Sequence, residues 1–343
     1  MKRIAAVLCT LVLCVSMLLG CGDLSQNFIN SDKIKIVCTI FPQYDWIRQV
    51  IGEQSDNFEI KLLTESGVDM HSYQPSVADI AAVASCDVLI YTGGESDKWI
   101  DDALKETVNE DMTVINIMEV LDGYVKEEEI IEGMQSSSHS HDNSYDEHEK
   151  YSENYAKDHD HEEVEYDEHV WLSVKNAKVI VEALEVALEE KDASNASVYH
   201  KNSQKYVISL DELDKQYQKM VDTAKHNTVL FADRFPFRYL IDDYNLNYYA
   251  AFAGCSSETG ASFETVVYLS GKVDELGLNS VLVIENSSEQ VANTVIGNTQ
   301  NKNVRILVLD SMQSVTSKEI KEGCTYIGIM QNNLEILSMA LNS

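Results

Sequence analysis

Proline is scarce in this 343-residue chain, with three in all, and basic residues are few: 26 lysines and arginines against 57 aspartates and glutamates. The formal charge of -31 excludes nucleic acid and anionic lipid as natural partners and suits a protein that works among cations. No Cys-x-x-Cys pair occurs among the seven cysteines, so neither a thioredoxin-type redox motif nor a paired-cysteine zinc site is present. His-Glu-x-x-His and Gly-x-Ser-x-Gly are also missing, and Gly254-Cys255-Ser256-Ser257 is not a nucleophile elbow. With no nucleophile constellation and no metalloprotease motif, the chain is expected not to be an enzyme. After residue 20 no apolar run is long enough to span a bilayer.

What is present begins at the N-terminus. Lys2 and Arg3 precede an almost purely apolar stretch from Ile4 to Gly20, whose seventeen residues fall short of the roughly 20 a spanning helix needs. It ends in Leu18-Leu19-Gly20-Cys21, small residues before a cysteine, as at a signal-peptide cleavage site. The pattern resembles a bacterial lipobox, which implies a diacylglycerol thioether on Cys21 and a body tethered at the extracytoplasmic face of the cell membrane. Two acyl chains, at about 0.8 kcal/mol per buried methylene, give durable anchoring. Cys9 and Cys14 leave with residues 1–20. Cys38 and Cys86 read as small buried hydrophobes. A Cys255–Cys324 disulfide is open to a chain outside the cytoplasm, and spacing does not decide it.

Past a short tether at 21–32, apolar runs of strand length alternate with helical stretches. Ile34–Thr39, Phe58–Leu63, Cys86–Tyr91 and Thr113–Ile117 read as strands, and Tyr44–Ile51 as a helix. From Glu127 to Glu168 the chain turns acidic and rich in histidine and serine without apolar periodicity, which predicts a loop. Val174–Glu190 and about 195–226 read as helices. In the second, Tyr206, Leu210, Leu213, Tyr217 and Met220 recur at spacings of 4, 3, 4 and 3, along one face. Strands resume at Thr228–Ala232, Leu246–Ala251, Ser280–Ile284 and Arg305–Leu309, with helices at Phe263–Leu276 and Tyr326–Leu341. Such alternation predicts an α/β protein of two lobes, each a mostly parallel sheet flanked by helices. The expected division is an N-terminal lobe at 33–173, connecting helices at 174–226 and a C-terminal lobe at 227–343, with the long helix as a rigid strut.

Two histidines stand out. His71 lies in Gly67-Val68-Asp69-Met70-His71-Ser72-Tyr73-Gln74-Pro75-Ser76, a polar loop after the second strand, where open α/β sheets place ligands. His169 lies in Tyr166-Asp167-Glu168-His169-Val170-Trp171-Leu172, where the acidic loop returns to helix. These two motifs, in this order, with Ile34-Lys35-Ile36-Val37-Cys38-Thr39-Ile40-Phe41-Pro42-Gln43-Tyr44-Asp45 and Asp87-Val88-Leu89-Ile90-Tyr91, resemble the substrate-binding lipoproteins of zinc and manganese ABC importers, of the zinc type in cluster A-I. The resemblance covers nearly the whole mature chain. It implies one metal held between the lobes by His71 and His169, and an ABC permease with its ATPase as partners of a monomer. The cargo it implies is Zn2+ ahead of Mn2+ or Fe2+. A metal-binding surface adhesin is the alternative.

The remaining ligands are less regular. Family members place a histidine, or in some manganese proteins a glutamate, where this chain has Arg234, and a guanidinium cannot ligate a cation. Asp233 is expected to take that position through a shifted backbone; the alternatives are that water fills it, or that Asp233 is a turn carboxylate paired with Arg234 or Arg238. An acid after a C-lobe strand is the fourth family ligand, which implies Glu285 first and Glu289 second. His139, His141, His148, His159 and His161, set among acids, form an auxiliary metal-collecting loop on composition, favouring zinc or copper over manganese.

Overall fold

The computed structural model describes Phe28 and residues 32–135, 165–256 and 260–342. Cys21, His139, His141, His148, His159 and His161 lie outside the described residues. The chain forms two compact units: one from the described residues up to Val120 with Val181–Tyr206 and Val315–Lys321, the other from those of Leu121–Ile180, Val207–Ser314 and Glu322 onward.

The first unit is built on a four-stranded parallel sheet of β1 (Ile34–Cys38), β2 (Phe58–Leu62), β3 (Val88–Tyr91) and β4 (Thr113–Asn116), in the order β2-β1-β3-β4. Ile34 pairs with Phe58, Ile36 with Val88, and Val88 with Thr113. All four residues of β3 are buried, as a strand covered on both faces requires. Val37, Cys86 and Leu89 form the core with Ala82 and Val83 of α2 (Val77–Ser85) and with Ile100 and Ala103 of α3 (Trp99–Lys105). Cys38 and Cys86 are fully buried there, as small hydrophobes, and burial pushes the Cys86 thiol up to about 12. Helix α1 (Phe41–Ile51) starts with Pro42 in its first turn, where the absent N–H costs nothing. α2 starts at a capping box in which Ser76 and Asp79 satisfy each other's backbone N–H groups. A four-residue α4 (Ile117–Val120) follows β4.

The second unit repeats the topology. Its strands are β5 (Thr228–Phe235), β6 (Asn247–Ala253), β7 (Ser280–Ile284) and β8 (Arg305–Leu309), all parallel, in the order β6-β5-β7-β8. Leu230, Ala251, Val281 and Val283 pack with Val266, Leu269 and Val273 of α8 (Phe263–Leu276) and with Ala292 and Val295 of α9 (Gln290–Asn298). Between β5 and β6 lies α7 (Arg238–Asp243). After β8 come α10 (Ser317–Lys321), in the first unit, and α11 (Tyr326–Asn342), in the second.

Strand β5 runs three residues beyond the expected Ala232. Phe231 pairs with Ala250 but Arg234 with Phe252, so β5 carries one extra residue opposite β6. A bulge of this kind re-aims side chains without any compositional mark. The long helices are α5 (Val174–Lys191) and α6 (Ala196–Asp222). On α6, Tyr206, Leu210, Leu213 and Tyr217 are buried as their period predicts, and Met220 is half-buried. The chain passes between the units within both helices. The compact units are interleaved along the chain, and the described residues of 121–173 go with the second sheet. Among the described residues no helix is long and apolar enough to cross a membrane.

The ends of the expected loop at 127–168 are ordered. Glu127 bridges Tyr166 in antiparallel sense, Glu128 N–H donates to Glu165 O (2.8 Å), and Gln135 N–H donates to Ala251 O (2.9 Å). Asp167 and Glu168 are buried despite their charge. A polar sequence signals exposure only until its groups find partners, and the Asp167 carboxylate finds them in the backbone N–H and ring Nδ1 of His169.

Candidate metal centre

In the first unit, His71 sits in a 3₁₀ turn, Met70–Ser72, after β2. Asp69 caps it, its Oδ1 accepting from His71 N–H at 3.0 Å. The ring Nδ1 lies 2.8 Å from Ser96 Oγ. The loop carrying Ser96 is held by its neighbour Asp97, whose buried carboxylate accepts from Thr92 N–H at 2.7 Å and from Gly93 N–H at 3.3 Å. Gly93 is required: its φ is +90°, and a Cβ there would lie 2.5 Å from Asn116 Oδ1.

In the second unit, His169 has no exposed surface. Its Nδ1 lies 2.8 Å from Asp167 Oδ1, which also accepts from His169 N–H at 2.9 Å. A carboxylate only accepts, so Nδ1 carries a proton, and in the neutral ring, the form able to bind a metal, the lone pair sits on Nε2. Asp167 is itself held. Its N–H donates to Lys126 O (2.9 Å), and its carbonyl accepts from the Tyr239 hydroxyl (2.8 Å), which in turn accepts from Lys126 N–H (2.9 Å). Trp171, 5.2 Å from the His169 ring centroid, donates its indole N–H to Ser311 O at 2.9 Å. Carboxylate–imidazole pairing of this kind fixes the tautomer of metal-binding histidines and raises their basicity.

Beside this imidazole stands Cys255, on the turn after β6, with a donor atom within 4.8 Å of one on His169. Its N–H donates to Glu128 Oε1 (3.3 Å). Burial pushes its thiol well above the usual range, and the charges of Glu128, Glu168 and Asp167 push the same way. Burial raises Glu128 as well. Cys255 and Cys324 are both thiols, so the disulfide left open by sequence is not formed. Gly254 lets the turn approach: a Cβ there would lie 2.9 Å from His169 Cε1 and 3.0 Å from Phe235 O.

The structure does not gather Asp233 or Glu285 with His169 and Cys255. Asp233, at the β5 bulge, accepts from the Ser287 hydroxyl and from Arg234 N–H. Glu285 follows β7 as expected, and its carboxylate accepts from Ser311 N–H and Oγ–H, both at 2.7 Å, and from Gln313 N–H at 3.3 Å. It thereby holds the loop after β8. Glu289 is exposed, with left-handed backbone at φ +56°, ahead of α9. Sequence reasoning missed Asp167, Tyr239 and Cys255. Asp167 stood two residues before a chosen histidine. Cys255 followed the carboxyl end of a parallel strand, the same placement that singled out His71.

A buried imidazole oriented by a carboxylate, beside the strand ends of a parallel α/β unit, could hold a metal cation in a protein of the two-sheet α/β class. The sequence model of the family described as zinc-uptake complex component A, periplasmic (ZnuA), matches residues 36–340, and the chain belongs to that family. Among curated relatives, the zinc-binding protein AdcA of Streptococcus pyogenes serotype M3 is 27% identical over 320 residues, covering 92% of this chain and 57% of its own length. The high-affinity zinc uptake system protein ZnuA of Bacillus subtilis is 26% identical over 331 residues, covering 96% of this chain and 95% of its own. The chain thus spans little more than half the length of the AdcA relatives it matches. The Zn(II)-bound ZnuA-like domain of Streptococcus pneumoniae AdcA matches in fold, with a TM-score of 0.67 and 24% identity over 91% of this chain and 100% of that one. So does a laminin-binding adhesin of Streptococcus agalactiae, with a TM-score of 0.69 and 18% identity over 90% and 100% of the two chains.

Proposed function

We propose that this protein captures a zinc ion outside the cytoplasm and delivers it to the permease of an ATP-driven importer. Zinc is cargo: it is bound and released without covalent chemistry, and docking on the permease opens the site. His71 and His169 are its imidazole ligands. Cys21 carries the lipid that keeps the protein at the membrane, and the histidines at 139–161 collect metal for the site. The family match over residues 36–340 supports a role in zinc uptake. The observation that carries the ligand assignment is the His169–Asp167 pair, because it puts a neutral imidazole's lone pair on Nε2 in a fully buried ring. Neutral imidazole suits zinc, with Zn–N bonds of about 2.0–2.1 Å, better than the oxygen-preferring Mn2+.

Titration of metal-stripped protein with zinc against a chromophoric chelator tests this. One tight equivalent is expected, lost in both His71→Ala and His169→Ala while circular dichroism is unchanged. Retention of that equivalent in either variant would remove the histidine from the ligand set. A wild type without a stoichiometric site would end the transport role.

A further inference from the structure

We propose that Cys255 is a thiolate ligand to the same ion as His169, giving this site mixed nitrogen–sulfur coordination. The proposal rests on the zinc-capture role above and names a ligand that role does not require.

Four observations within the second unit carry it. First, Cys255 leaves the carboxyl end of β6, the end of a parallel strand where α/β sheets place ligands. Second, Gly254 presses the turn onto the His169 ring, where any Cβ would meet Cε1 at 2.9 Å and Nδ1 at 3.1 Å. Third, the two residues' donor atoms lie within 4.8 Å of one another. Zn–S and Zn–N bonds of about 2.3 and 2.05 Å at a tetrahedral angle put nitrogen and sulfur about 3.6 Å apart, a separation that a side-chain rotation reaches. Fourth, the surroundings are wrong for a packing cysteine. Cys38 and Cys86 have no exposed surface, and Cys86 sits in an apolar cluster, whereas Cys255 is half-buried in a polar turn, its N–H donating to Glu128 Oε1 at 3.3 Å.

A divalent cation shares the charge of a thiolate bound to it and so favours its formation. Binding then proceeds by loss of the Sγ–H proton to solvent and donation of the sulfur lone pair to the metal, with no change of oxidation state. Of the two carboxylates that the sequence offered as ligands, Asp233 accepts from Ser287 and Glu285 accepts from Ser311 and Gln313. A thiolate also selects: it favours zinc and disfavours manganese, which prefers oxygen donors.

Cobalt(II), which reports coordination in the visible and near ultraviolet, tests the assignment on reduced, metal-stripped protein. One equivalent should give tetrahedral d–d bands together with an intense near-ultraviolet thiolate-to-cobalt band, both abolished by added zinc. Cys255→Ser should keep the d–d bands and lose the charge-transfer band. Its zinc affinity should fall by at least the roughly 10- to 100-fold that loss of an outer-shell partner costs. Cys324→Ser should change neither. A wild-type spectrum with d–d bands and no thiolate band overturns the proposal and leaves zinc capture standing, as does a thiolate band that survives in Cys255→Ser. Failure of the wild type to bind either metal stoichiometrically overturns both.

Discussion

Gly254 and His169 are 85 positions apart in sequence, and the pocket around the imidazole depends on the smaller of the two. A methyl group at 254 would have to push against a ring tied to Asp167 and against the Phe235 carbonyl, neither of which swings aside as a flexible side chain would. Overpacking of this sort costs about 1–3 kcal/mol. Gly254→Ala is therefore expected to lower the denaturation midpoint and to weaken zinc binding together, read by urea titration and chelator competition. Gly260→Ala, where no atom lies within 4 Å of the added carbon, should leave both unchanged. Residue-scale legibility was uneven. The two histidines announced themselves because each stood in a dense polar motif. Cys255 did not, since a single cysteine carries no spacing signal and its meaning depends on which ring it faces. The choice between Asp233 and Arg234 could not be made by counting along the chain, because the β5 bulge changes the register between Phe231 and Arg234.

Strands β3 and β7 were the most readable elements, because a parallel strand buried along its whole length is nearly unbroken Val, Ile and Leu. Strand ends were less so: β5 continues through Asp233 and Arg234, charged residues that look like the start of a loop. Helix α2 shows how polar side chains set an element's start, and its stability should depend on pH. Burial raises the Asp79 carboxyl, but hydrogen bonds from Lys61 and from the Ser76 side chain and backbone, with the Lys61 charge, outweigh it and hold Asp79 below its ordinary value. A carboxylate depressed in the folded state stabilises it fully above the unfolded-state value, and that stabilisation is lost as pH falls through the depressed value. Asp79→Asn should therefore destabilise the protein at neutral pH, and the gap to wild type should close in acid. Urea midpoints measured from neutral to strongly acidic pH check this. A gap that persisted or widened in acid would mean that the Lys61–Asp79 pair contributes nothing.

At the scale of the molecule, two sheets with the same strand order were legible as two runs of alternating elements. Their membership was not. The described residues of 121–173 join the second unit through contacts such as Tyr326 Oη–H to Trp171 O (2.8 Å) and Trp171 Nε1–H to Ser311 O. Partners that distant in the chain leave no local pattern in either segment. Composition, by contrast, speaks for the molecule as a whole. With 57 acidic against 26 basic side chains, like charges outnumber every ion pair the chain could form, so self-repulsion opposes the compact state. Several of the pairs that do form are exposed, such as Lys105–Asp102 and Lys98–Glu95, and are worth little. Added sodium chloride shortens the screening length to about 10 Å at 0.1 M and weakens the repulsion more than it weakens those few attractions. The melting temperature of metal-free protein should accordingly rise from low to physiological ionic strength, and most of the rise should occur at the dilute end, where screening changes fastest. Equal osmolality of sucrose, which acts by exclusion from the surface, should not reproduce that curvature. A melting temperature that fell with salt would show that attractive pairs, and not the net charge, govern the electrostatics of this fold.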